Sequence, residues 1–269
     1  SQLGGKVQFS FDVSEIVHLS RNLAYYGENT SSATGVESDK AASEMIMEAC
    51  QLADATVDFS KYDDDGDGEV DNVFVFFAGR DEAEGGSEDC IWSHSWYIKD
   101  GAGRNLILDG VRINRYACAS ELRLSEKDQV TMASIGTFCH EYSHTLGLPD
   151  FYDIDYSGAI GMSWWSIMAS GNYGANGYIP IGYNAYEREF CGWLVFNELT
   201  GDASITMPEL TTDKTAAYKI TSTNPNQYII IADGLQIVDG VILPISKRQI
   251  FPIKSAVTKV FWEQRQSIW

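Results

Sequence analysis

Two histidines four residues apart, with a glutamate beside the first, constrain this chain more than any other feature: His140-Glu141-Tyr142-Ser143-His144. On an α-helix, positions i and i+4 share one face, so both imidazoles reach one ion. Glu141 then stands where it can take a proton from a metal-bound water. The pattern continues as Thr145-Leu146-Gly147-Leu148-Pro149-Asp150. Gly147 lets the backbone turn sharply after the helix and return Asp150 as an oxygen ligand, leaving a fourth tetrahedral position for water. Zinc at such a site brings the pKa of that water towards neutrality and polarises a scissile carbonyl. Asp153 and Glu187 compete with Asp150 for the third position. A buried helix with two hydrogen-bonded histidines does not explain why half of the chain's four histidines fall at ligand spacing around a glutamate.

Elements expected around the motif are set by periodicity. Alternation at Val7-Gln8-Phe9-Ser10-Phe11 predicts a strand, and Ala42, Met45, Ile46, Ala49 and Leu52 predict a helix after Ser38. The unbroken run Val73 to Ala78 reads as a strand buried on both faces. Two short strands are expected around the turn at Asp109-Gly110. The longest helix is expected from about Ser125 to Leu146, with Ser125 and Asp128 as its capping box and Gly147 and Pro149 as its stop. A Gly- and aromatic-rich loop over 158–182, a short helix over 183–190 and strands over 204–207, 217–220 and 228–231 complete the reading.

A second constellation is the acidic run from Asp63 to Asp71. Carboxylates fall at loop positions 1, 3, 5 and 9 with Gly68 at 6, like the first part of an EF-hand loop. Position 12 is Phe74 rather than Glu and a strand follows instead of a helix, so the loop departs from an EF-hand. A structural calcium site is expected from Asp63, Asp65, Asp67 and Asp71, with Glu69 giving its carbonyl, because adjacent carboxylates otherwise repel one another.

Composition bounds the partners. The chain has 269 residues, 44% hydrophobic and 21% charged, the mix of a folded globular protein. Its formal net charge of −19 disfavours nucleic acid and anionic lipid surfaces. No run approaches the ~20 apolar residues of a membrane-spanning helix. Cys50, Cys90, Cys118, Cys139 and Cys191 include no CxxC pair, and the odd count leaves at least one thiol in a monomer, the expected state. Residues 232–269 hold five Lys/Arg against three acids, unlike everything before them.

The stretch His140 to Asp153 (HEYSHTLGLPDFYD), with Trp165 to Gly171 (WSIMASG), resembles the immune inhibitor A family of secreted bacterial metalloproteases, within the metzincins. The resemblance runs from near the start of the chain to about Ile231. It implies His140, His144 and Asp150 as zinc ligands, Glu141 as general base and Met168 as the methionine of a turn under the metal. It also implies a secreted endopeptidase acting on protein or peptide substrates, made with a signal peptide outside this chain.

Tyr173, with Tyr178 and Tyr183 behind it, is a candidate oxyanion donor, and His94 is expected to be structural. By analogy with metzincins, Gly110 to Ala119 is the expected edge strand for an extended substrate. The fold expected is α/β: a mixed, twisted sheet with an active-site helix. Residues 1–198 form the catalytic domain (upper subdomain 1–147, irregular lower subdomain 148–198), and 199–269 a β-rich extension, atypical after 231. The alternatives are a non-catalytic protein- or glycan-binding module and a cell-wall peptide amidase.

Overall fold

The computed structural model describes residues 9–30, 38–124, 129–155, 157–159, 161–200, 205, 216–221, 228–232, 236–238 and 241–243. It is a mixed α/β structure whose contacts divide the described residues into two compact units, Phe11–Thr145 and Phe9 and Ser10 with those from Leu146 onward.

Residues 9–20 have no regular structure, so Phe9 to Phe11 form no strand; Val7 and Gln8 lie outside the described residues. Helix α1 (Leu23–Gly27) is capped by the Asn22 side chain. The short pair β1 (Asn29–Thr30) and β2 (Ser38–Asp39) comes after it. Helix α2 (Ala42–Ala53) buries Met45, Ile46, Ala49 and Cys50, whereas Leu52 falls at the margin of that stripe and stays 44% exposed. A 3-10 turn at Phe59–Tyr62 leads into the acidic loop. Strand β3 (Val73–Arg80), β4 (His94–Tyr97), helix α3 (Ile98–Ala102) and the hairpin β5 (Leu106–Leu108) to β6 (Val111–Ile113) come next. Asp109 (φ 51) and Gly110 (φ 84) make the tight turn of that hairpin, where two positive φ angles match the strand twist.

Strand β7 (Arg115–Leu124) is the axis of this unit. It pairs in parallel with β3, from Val73↔Tyr116 to Phe77↔Ser120, and antiparallel with β4, from His94↔Cys118 to Tyr97↔Arg115. Strand β8 (Val130–Met132) pairs antiparallel with its far end. The strand order β3-β7-β4 therefore corrects two expectations. The strand buried on both faces is β7, through Tyr116, Ala117, Cys118, Ala119 and Ser120, and not β3, whose Phe76 is 62% exposed. A peptide cannot pair along residues 116–118, because both edges of β7 are already occupied there.

Helix α4 (Ile135–Thr145) lies against β7 and is shorter than expected. Val130–Met132 is strand, so the helix starts ten residues later than Ser125, and the proposed capping box at 125–128 lies outside the described residues. Competing strand pairing with β7 satisfies the backbone groups that an earlier helix start would have used. The core lies among Tyr26, Met45, Ile46, Ile91, Ile98, Ile113 and Tyr116, beneath α2 and α3.

In the second unit, 3-10 turns at Ser163–Trp165 and Ser170–Tyr173 fold the aromatic-rich loop. Helix α5 (Ala185–Phe190) precedes a three-stranded sheet of β9 (Asn197–Glu198), β10 (Ala217–Thr221) and β11 (Tyr228–Ala232) in the order β11-β10-β9. Of the expected strand at 204–207, only residue 205 is described, and it is not in a strand. A final ladder joins β12 (Gln236–Val238) and β13 (Val241–Leu243). All five cysteines are thiols.

One buried group gives the fold a pH signature. Asp39, at the end of β2, accepts from the Trp92 amide at 3.2 Å and lies 3.9 Å from His94 Nδ1. Burial raises its carboxyl to about 7, against the opposing pull of His94. Between about pH 4 and 7 the folded chain thus holds a proton that the unfolded chain has lost, so this group's contribution to stability falls as pH rises. Asp39→Asn is expected to gain stability relative to the unaltered protein between pH 4.5 and 8, measured as the difference in urea midpoints. A pH-independent difference would contradict the assignment.

Candidate metal centre

Helix α4 carries His140, Glu141 and His144. His140 and His144 lie about 40° apart around the axis. Their rings stand edge to face with centroids 4.9 Å apart. His140 and Glu141 are each 7% exposed, so the polar face of this helix is turned inward. Phe138 and Tyr142 point away from the histidines, about 120–160° round the helix. They stack at 5.8 Å on each other, Phe138 meets Phe74 at 4.6 Å and Phe76 at 5.7 Å on β3, and Phe11 closes on Tyr142 at 5.3 Å. The back of the helix is thereby fixed by aromatic packing while its front presents nitrogen ligands.

The chain leaves α4 through Gly147 at φ 92, a left-handed angle that a residue with a Cβ adopts only at a cost. Along this continuous segment one ligand atom from each of His140, His144 and Asp150 lies within 4.8 Å of the others. Two imidazole nitrogens and a carboxylate oxygen are the donor set of a catalytic zinc site. These residues therefore fit the ion that the motif implies.

Asp150 is held in place through its neighbour Phe151. The Phe151 amide donates to the Met168 carbonyl at 2.8 Å, and the Phe151 carbonyl accepts from Met162 at 2.7 Å. Met168 is fully buried, and its amide donates to Ser166 Oγ at 3.0 Å. Ser166 in turn donates to Glu187 Oε1 at 2.5 Å. Glu187 is the N3 residue of a capping box on α5: its Oε2 accepts from Asn184 N at 2.6 Å while its own amide donates to Asn184 Oδ1 at 3.0 Å. Burial raises its carboxyl pKa. Both of its oxygens thus serve the Met168 turn and the helix cap, and it is not among the clustered ligands.

Asp153 is also outside that cluster. It accepts from Gly158 N at 2.7 Å, Ala159 N at 3.0 Å and Ser157 Oγ at 3.1 Å; a hydrogen bond with the Asp155 side chain, and then these turn donors, hold its carboxyl low, at about 2.

This site lies within a stretch that matches a known family. Residues 1–193 match the model of the immune inhibitor A peptidase M6 catalytic domain. The chain belongs to this family. It is 31% identical to the pre-pro-metalloprotease PrtV of Vibrio cholerae serotype O1 (strain M66-2), over 218 residues covering 71% of this chain and 22% of that protein. It is 26% identical to immune inhibitor A of Bacillus thuringiensis subsp. alesti, over 214 residues covering 70% of this chain and 30% of that protein. The chain spans less than a third of the length of either relative.

Met168, expected as the methionine of a turn, is fully buried. Tyr173 ends a 3-10 turn and is 38% exposed, Tyr178 is 57% exposed, and Tyr183 packs edge to face on Trp193 at 5.2 Å. His94 is structural as expected, with Nε2 2.8 Å from Tyr116 Oη and Nδ1 2.6 Å from the Trp92 carbonyl.

In the acidic loop, ligand atoms of Asp63, Asp65 and Asp67 lie within 4.8 Å of one another. The turn is set by bonds from Asp67 N to Asp63 Oδ1 (3.0 Å) and from Gly68 N to Asp63 Oδ2 (3.0 Å), and by an ion pair between Glu69 and Arg112. Asp71 accepts from Asp64 N at 3.4 Å; burial, and then the nearby Asp64, Asp65 and Asp63, raise its pKa.

Sequence reasoning missed Ser166 and the role of Glu187. The Asn184…Glu187 spacing was a readable capping signal, but nothing local marks Ser166. Glu187→Ala leaves the buried Ser166 hydroxyl and the half-buried Asn184 amide without an acceptor. Stability in urea is expected to fall by about 2–4 kcal/mol while zinc stoichiometry is unchanged. Loss of zinc from the folded variant would reinstate Glu187 as a ligand.

Proposed function

We propose that this chain is the catalytic part of an exported zinc endopeptidase. The convergence of His140, His144 and Asp150 after a helix that also carries Glu141 supports this most directly, in a chain of a peptidase family. His140 and His144 supply the nitrogens and Asp150 the oxygen that hold the ion. Zinc bound there supplies a Lewis acid that acidifies a water and polarises a carbonyl. Glu141, about 60° round the helix from His144, takes the proton of the attacking water and delivers it to the leaving amine nitrogen. Tyr173 offers a hydroxyl to the oxygen of the tetrahedral species, and Met168, fully buried, serves as the structural methionine of its turn. The name of the Vibrio relative, a pre-pro-metalloprotease, supports synthesis as an exported precursor.

The substrate is a protein or peptide bound extended. Strand β4 is the natural edge for it: among the described strands its outer side carries no partner, it runs antiparallel to β7, and α4 lies close to it. Pairing along β4 replaces the expected pairing along 110–119.

The decisive experiment is zinc analysis combined with cleavage of a denatured protein by the unaltered chain and by Glu141→Ala. One zinc per chain is expected in both, with the rate lowered by about 10²–10⁴ in the variant. Cleavage undiminished by Glu141→Ala refutes the role of Glu141, and a folded chain that takes up no zinc refutes the centre.

The acidic loop is proposed to hold calcium through Asp63, Asp65 and Asp67, with Asp71 and the Glu69 carbonyl completing the set. Millimolar calcium is expected to raise the melting temperature of the unaltered chain by several degrees and to leave Asp65→Ala unmoved. Equal shifts in both would place any calcium elsewhere.

A further inference from the structure

We propose that Arg115 is a positioning residue for the metal centre, locking the ligand-bearing last turn of α4 to the edge strand β4. This deepens the zinc reading and rests on it. Arg115 opens β7, and its partner across the antiparallel ladder is Tyr97, the last residue of β4. The guanidinium lies over the Tyr97 ring, 5.7 Å from its centroid, with Nη2 3.4 Å from the Tyr97 hydroxyl. From the same planar group, Nη1 donates to the Thr145 carbonyl at 2.6 Å. Thr145 is the last residue of α4 and directly follows His144.

A helix leaves its final carbonyls without intrahelical partners and carries partial negative charge at that end. Arg115 answers both needs at the one turn where fraying would displace a metal ligand. Arg112, three residues earlier, is spent on Glu69. Arg115 makes no ion pair among the described residues, so its charge is directed at the helix end and the tyrosine ring. A lysine offers a single point charge and cannot span both partners as the planar fork does. The same side chain thereby couples β4, where a peptide would pair, to the position of His144. Groups that orient metal ligands from outside the coordination sphere typically change metal affinity by about 10–100-fold.

The test is zinc affinity, by competition with a chelating indicator, for the unaltered chain, Arg115→Met and Arg115→Lys. Measurements are made well below each unfolding midpoint, with hydrogen exchange read at the amides of His144 and Thr145. Arg115→Met is expected to bind zinc about tenfold more weakly and to exchange those amides faster, with Arg115→Lys between it and the unaltered chain. A folded Arg115→Met with unaltered affinity and exchange overturns the proposal. Should Arg115→Met fail to fold, Arg115→Lys carries the test, and parity with the unaltered chain overturns it. Should the unaltered chain bind no zinc, the zinc reading fails. The exchange rates then decide the clamp by themselves: equal protection in Arg115→Met and the unaltered chain overturns it.

Discussion

Two imidazoles one turn apart can share an ion only if the helix that carries them neither rolls nor frays, and the rest of the first unit is organised around that requirement. Helix α4 is seated on β7, whose Ala117, Cys118, Ala119 and Ser120 are small enough for a close approach and are all buried. Rolling is opposed by the aromatic layer of Phe74, Phe76, Phe138 and Tyr142 on the far side of the helix. Fraying is opposed at the last turn, where the Thr145 carbonyl takes a charged donor from Arg115. A half-polar helix of eleven residues has little stability of its own, so its geometry is set by packing and not by propensity.

The same economy of support recurs beyond Leu146, in a segment with little regular structure. Phe151 is bonded on both sides of its peptide, to Met162 and Met168, which fixes the residue next to Asp150 without any strand. The Met168 turn is in turn secured by Ser166 and Glu187. A buried carboxyl here has a structural role, and its raised pKa reflects desolvation that its hydrogen bonds only partly offset. A buried carboxyl with a raised pKa is thus not by itself a ligand.

The legibility of the sequence varied with the range of the interaction. Helix α2, the 109–110 hairpin turn and α5 were readable because apolar spacing and turn residues act over a few positions. The length of α4 was misread because 130–132 pairs with β7, a contact that no helical periodicity discloses. The burial of β3 and β7 was exchanged for a related reason. Val73 to Ala78 looks like an interior strand by composition, yet position in a sheet depends on which strands flank it, and the small, mixed residues of β7 took the centre. The expected substrate strand failed with it.

By itself, the sequence determined the chemistry available: a zinc-type donor set at helical spacing, a glutamate beside it, a glycine where the chain must turn, and a second cluster of carboxylates. All of these stem from residue identity and from distances along one continuous segment, which helix geometry fixes. The tertiary structure alone decided where each candidate carboxylate lies. Asp153 is held in a local turn and Glu187 in a cap, while Asp150 gathers with the two histidines. It also decided which strand offers an edge and which arginine reaches the end of the helix. These depend on contacts between residues far apart in the chain, whose partners are chosen by packing and desolvation and not by any local pattern.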